Sequence, residues 1–178
     1  MKYITFLLLT VLFSIFSIDS FSQSSGHYTR QSVFVEVLGN GLLATLNYDT
    51  RLNKNRQDGL GLRIGVGGLS VSGTSDAGVS VSAGVVTIPL ELNYLMGKKR
   101  SAFEIGAGLT PLILSAKLKT DNDRISGTGS SVNGVISFGY RYQPLNKGFL
   151  FKLDWSPIFN SIGFSPAWFG ISFGYSFK

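Results

Sequence analysis

The chain has 178 residues, of which 26 are charged, 23 aromatic and 22 glycine, with no cysteine and a formal net charge of +6. Apolar residues make up 44% and charged residues 15%, against roughly 25% charge in an ordinary soluble domain, which excludes a disordered chain and a conventional water-facing surface. With no cysteine there is no disulfide framework, Cys-ligated zinc or thiol nucleophile, and the single histidine, His27, lies before the first strand-like segment.

In chain order, residues 1–22 come first. Lys2 precedes the uncharged run Ile4–Ile18, and Ser20-Phe21-Ser22 follows. A positive start, an apolar stretch and a small-x-small site predict a secretory signal peptide cleaved after Ser22. The rival reading is an uncleaved anchor, for which the apolar stretch is short, since a helical span needs about 20 residues. The remainder, 23–178, fits one domain.

From residue 32 onward the dominant signal is period two, the mark of a strand with two unlike faces. Eight segments show it. Residues 32–38 carry Val33, Val35 and Val37 on the apolar face, and 42–51 carry Leu42, Ala44, Leu46 and Tyr48. Residues 60–67 carry Leu60, Leu62, Ile64 and Val66; 86–94 carry Val86, Ile88, Leu90, Leu92 and Tyr94; 103–110 carry Phe103, Ile105, Ala107 and Leu109. Residues 135–142 carry Ile136, Phe138, Tyr140 and Tyr142, and 149–156 carry Phe149, Phe151, Leu153 and Trp155. The last, 168–177, carries Phe169, Ile171, Phe173, Tyr175 and Phe177. Gly39-Asn40-Gly41 predicts a tight hairpin turn. Residues 52–58, 97–101 and 143–147 form short connections, while 70–80, 117–131 and 157–166, rich in Gly, Ser and Asx, are expected to be longer loops. Every link suits an antiparallel meander. Pro89 and Pro111 fall inside or beside strands and predict bulges or a register break, because proline deletes a ladder bond. Residues 155–177 contain no charge, but Pro157, Pro166 and the alternation oppose a membrane-spanning helix.

A soluble barrel turns its apolar face inward, whereas a membrane barrel turns it toward lipid around a polar interior. Three features favour the second. The polar face holds only nine charges, Glu36, Asp49, Arg51, Arg63, Glu91, Glu104, Arg141, Lys152 and Asp154. Their signs nearly balance, as a closed interior requires. Tyrosines cluster toward the turns of the apolar face, as in an interfacial girdle. Only helices and closed barrels satisfy their backbone polar groups in hydrocarbon, and eight strands close around an interior that side chains can fill. The expected architecture is therefore an all-β, eight-stranded antiparallel up-and-down transmembrane barrel over 23–178. The nine charges would form an interior ion-pair network with no pore, and Gly61, Gly65, Gly67, Gly106, Gly108, Gly170 and Gly174 would make room for long side chains. Glu91 and Glu104 flank one turn and are expected to share a cation. Lys98-Lys99-Arg100 reads as a solvated turn rather than a nucleic-acid site. With Lys54, Arg56, Lys147 and Lys178 it makes one barrel end basic, toward the anionic head groups of the inner leaflet. No cofactor is expected.

The C-terminal run Trp168 to Phe177, with alternating Phe173, Tyr175 and Phe177, resembles the closing strand of Gram-negative outer-membrane barrels, although Lys178 follows the final aromatic. The chain is similar to the small eight-stranded barrels of the OmpA-transmembrane and OmpX type. That resemblance implies outer-membrane location, recognition of Phe173, Tyr175 and Phe177 by the barrel-assembly machinery, both termini periplasmic, and an extracellular ligand, if any, at 70–80, 117–131 or 157–166. Members of this architecture that modify lipid A depend on a His near a Ser, and this chain offers no His in any strand or outer loop. The expected role is structural or surface-interacting. A soluble barrel holding a small apolar ligand and a narrow channel are the alternatives.

Overall fold

At Gln31 the alternation becomes strand. The computed structural model describes residues 28–53, 56–75, 79–120 and 123–178; the expected signal peptide, His27 and Lys54 lie outside them. The strands are β1 (Gln31–Leu38), β2 (Ala44–Arg51), β3 (Gly59–Thr74), β4 (Ser80–Thr87), β5 (Leu90–Met96), β6 (Ser101–Lys119), β7 (Arg124–Tyr142), β8 (Gly148–Trp155), β9 (Ile158–Asn160), β10 (Gly163–Ser165) and β11 (Phe169–Phe177). Three pairs are single strands with an interruption: β4 and β5 at Ile88–Pro89, β8 and β9 at Ser156–Pro157, and β10 and β11 at 166–168. That leaves eight strands, all pairing antiparallel with their neighbours in the chain. The last pairs with the first, from Gln31 opposite Phe177 to Leu38 opposite Gly170, and closes the ring.

The closure is staggered. Pairings followed from Val37 through Ile171, Leu153, Tyr140, Phe103 and Met96, then across β3 and β2, return to β1 ten residues nearer the N-terminus. Such a stagger tilts the strands by roughly 35–45° and leaves a lumen just wide enough to be packed with side chains.

The faces are inverted relative to a soluble barrel. On β3, Leu60, Leu62, Ile64 and Val66 are exposed, while Gly61, Arg63 and Gly65 are buried. The same holds on β5, with Leu90, Leu92 and Tyr94 exposed and Glu91 and Asn93 buried. Buried apolar side chains inside the barrel are few, Phe34, Leu95, Ala102 and Leu150 among them. The glycines matter where they face a long side chain. A Cβ on Gly61 would lie 2.3 Å from the Arg51 guanidinium carbon, and one on Gly106 would lie 2.1 Å from Glu91 Oε1.

Three sequence expectations need correction. Neither proline shifts the register: Gly65–Val66 continues the pairing across Ile88–Pro89 in step, and Pro111 stays inside β6 opposite Val132. In an antiparallel ladder, facing residues exchange two bonds. Gly65 N still donates to Pro89 O at 2.9 Å and Ile88 N to Pro111 O at 3.0 Å, so each proline removes only the return bond. Second, most of 70–80, 117–131 and 157–166 is strand rather than loop, because β3 runs on to Thr74 and β4 begins at Ser80, β6 runs on to Lys119 and β7 begins at Arg124, and β9 and β10 lie within 157–166. Third, Gly39–Gly41 is a 3-10 turn whose three residues are buried, folded into one mouth of the barrel rather than standing clear of it as a hairpin turn.

Candidate functional site

Period two sends alternate residues of every strand into the lumen, so the nine charged positions converge there. Each is at most 3% exposed. Two clusters form. Toward the end that carries the chain termini, Arg51 Nη2 lies 2.6 Å from Asp49 Oδ1, and Arg141 reaches Asp49 at 3.2 Å and Glu104 at 2.8 Å. Lys152 Nζ stands 2.6 Å from Glu104 Oε1. Asn93 donates to Asp49 at 2.6 Å, and Arg141 Nε donates to Gln143 Oε1 at 2.7 Å. Toward the opposite end, Arg63 pairs with Glu36 and, at 3.2 Å, with Glu91, and donates to Asn47 at 3.0 Å. Lys152 also has Asp154 Oδ2 3.5 Å away. Glu91 and Glu104 do lie on neighbouring strands, but they share no cation. Glu91 is held by Arg63, Glu104 by Arg141 and Lys152, since four residues of offset along the ladder separate them. Desolvation makes a lone buried charge costly; here cation and carboxylate interdigitate.

Both ends of the lumen are occupied. At the end away from the termini, Asn40 Nδ2 donates to Glu91, Thr110 Oγ1 to Asn40 O at 2.7 Å, Thr87 Oγ1 to Gly41 O at 3.0 Å and Trp168 Nε1 to Gly39 O at 2.8 Å. These contacts hold a strained turn: Leu38 and Leu42 have φ of 62° and 74°, which costs on the order of 1–3 kcal/mol for residues with a Cβ. At the end that carries the termini, Thr29 Oγ1 donates to Pro144 O at 2.7 Å, and Gln143 Nε2 to Thr29 Oγ1 at 2.9 Å. The neutral members Asn47 and Asn93 share the polar parity and were visible in the alternation. Asn40, in a turn with no period, carried no signal. Phe173 and Tyr175 stand on the outside, 48% and 49% exposed, and Phe177 is half-buried.

Beyond Gly67 and Thr87 the strands β3, β4, β6 and β7 continue as a four-stranded extension, and its polarity reverses. The face continuous with the lumen carries Leu69, Val71, Val85, Leu114, Leu118 and Ile125, paired as Leu69–Val85, Val85–Leu114 and Leu118–Ile125. Leu69 is 53% and Ile125 65% exposed. Past the outward-facing pair Val86–Ile113, the outer face carries serines and threonines together with Lys117, Lys119 and Arg124, the last two directly opposite each other. No ion pair holds these three cations among the described residues.

No protein-family model matches the chain, and no curated protein sequence does. Solved structures match in fold. Ail, the attachment invasion locus protein of Yersinia pestis, aligns at a TM-score of 0.53 with 9% identity, covering 84% of this chain and 96% of Ail. The same protein in complex with the heparin analogue sucrose octasulfate aligns at 0.51. A major outer membrane protein from Thermus thermophilus aligns at 0.54 with 15% identity, covering 85% of this chain and 99% of that one. The closed ring, the inverted faces and these alignments agree: the chain has the fold of the small outer-membrane β-barrels.

Proposed function

We propose that this protein is a non-enzymatic integral outer-membrane barrel whose lumen carries no current and whose four-stranded outer extension is a surface-interaction site. The observation that carries the reading is the reversal of polarity at Gly67 and Thr87. Below it, apolar residues face outward, as lipid demands. Above it they face the barrel axis and stay exposed, while hydroxyls and three cations face out. An exposed apolar sheet face beyond the lipid band has no role in spanning and marks an interaction surface. Ail, of similar fold, has been crystallised with a heparin analogue, which makes a sulfated polyanion the first ligand to test against Lys117, Lys119 and Arg124. Export by a signal peptide cleaved after Ser22, and recognition of Phe173, Tyr175 and Phe177 by the assembly machinery, belong to the same proposal. Support for the closed lumen comes from the inward turn at Asn40 and the Thr29–Gln143 contacts.

The test replaces 69–85 and 113–130 each by Asn-Gly. Gly68 faces Val86 and Leu112 faces Ser131, so two-residue turns fit the ladder. The shortened protein should still insert and keep heat-modifiable gel mobility, while cells displaying it lose retention on immobilised heparin. Unchanged retention would remove the extension from the reading. Recovery of the native protein in the soluble periplasm would remove the membrane, and single-channel steps in a planar bilayer would favour a narrow channel.

A further inference from the structure

Among the described residues, five fully buried carboxylates (Glu36, Asp49, Glu91, Glu104 and Asp154) share the lumen with four fully buried cations (Arg51, Arg63, Arg141 and Lys152), while the half-buried Arg30 stands beside Arg51 at the end of the barrel far from Asp154. Four of the acids have a charge-assisted hydrogen bond or a cation within 3.2 Å. Asp154 does not. Its only cation is Lys152, 3.5 Å away and held more closely by Glu104 at 2.6 Å. Asp154 Oδ1 and Oδ2 are buried without a hydrogen-bond donor, and so is Ser156 Oγ. These two residues are 2% and 0% exposed. They stand two apart around the end of β8, so both side chains enter the lumen on one face. Asp154 faces Gly139 on one neighbouring strand and Gly170 on the other, so no flanking side chain supplies a donor.

We propose that Asp154 and Ser156 bind one monovalent metal cation, sodium or potassium, inside the barrel. Asp154 brings one negative charge without a close cation, so a monovalent ion neutralises it and a divalent one would overshoot. The donors are oxygens only, which suits hard cations. Glu36 and Glu104 add negative potential from β1 and β6, and Arg63 and Lys152 face the site from β3 and β8. This site is independent of what the outer extension binds.

The experiment is urea unfolding of the full chain in lipid vesicles, with sodium or potassium chloride exchanged for N-methyl-D-glucamine chloride at constant ionic strength. An ion bound only by the folded state shifts the equilibrium in proportion to its concentration above its dissociation constant. The unfolding constant should therefore fall about tenfold per decade of sodium or potassium in that range, flatten in Asp154→Asn and weaken in Ser156→Ala. Sodium-23 relaxation on the folded native protein gives the direct reading: exchange broadening that Ser156→Ala reduces. If Asp154→Asn fails to insert, that reading and Ser156→Ala decide. Native stability indifferent to which cation is present would overturn the site. So would a protonated-carboxyl infrared band lost in Asp154→Asn, because a proton would then supply the missing charge.

Discussion

Arg141 is the most connected cation of the lumen, and its removal tests the sealed network most directly. It donates to Glu104 at 2.8 Å, Ser32 at 3.0 Å, Asp49 at 3.2 Å and Gln143 at 2.7 Å. Arg141→Met keeps the stem and deletes these bonds. Asp49 retains Arg51, and Glu104 retains Lys152, so neither acid is stripped, but the cluster loses a charge it cannot regain from water. Removing one partner of a buried pair costs about 3–5 kcal/mol. We expect a loss in that range, read from urea unfolding in vesicles by tryptophan fluorescence, with heat-modifiable mobility checking insertion. Arg56→Met, on an exposed pair with Asp58, should leave the curve near that of the native protein. A loss below about 1 kcal/mol for Arg141→Met, the scale of solvent-screened pairs, would overturn the sealed network, because it would mean that water reaches the cluster.

Four further outcomes are expected. Leu153→Arg, at a position 51% exposed midway along β8, should cost about 2–4 kcal/mol if it meets mid-bilayer lipid; a neutral value in the same unfolding assay contradicts the outward face. Gly106→Ala drives a Cβ to 2.1 Å from Glu91 Oε1 and 2.5 Å from Ser137 Oγ, and such overpacking should cost about 1–3 kcal/mol. Trp168→Ala combined with Thr110→Ala releases the inward turn and should bring conductance to a silent planar bilayer; continued silence would mean that other contacts close the mouth. The hydrogen bond from Arg56 holds the Asp58 carboxyl, in the connection just before β3, below its ordinary value. A depressed carboxylate stabilises the fold above its unfolded pKa and loses that contribution as pH falls through the folded value. Arg56→Gln should therefore lower stability only above about pH 4, with the two curves converging as pH falls, and a difference that persists undiminished at lower pH would sink the assignment.

The strand count and the face of each strand residue were legible in the chain alone, because pleating is local and fixes parity one residue at a time. The same alternation exposed where the apolar face could not be a protein core: nine charges spread over eight strands cannot solvate a barrel. Three things arose only in the folded ring. Which cation meets which acid depends on a stagger of ten residues around it, and a contact such as Ser32 with Ser176 joins positions 144 apart. The turn at Gly39–Gly41 folds inward because Glu91, Thr87, Thr110 and Trp168 receive it, all remote in sequence. The extensions of β3, β4, β6 and β7 read as loops because Ser and Gly dilute the alternation of Leu69 and Val71. They become strand because each long edge has a neighbour to pair with, and backbone pairing needs a partner that no local pattern reveals.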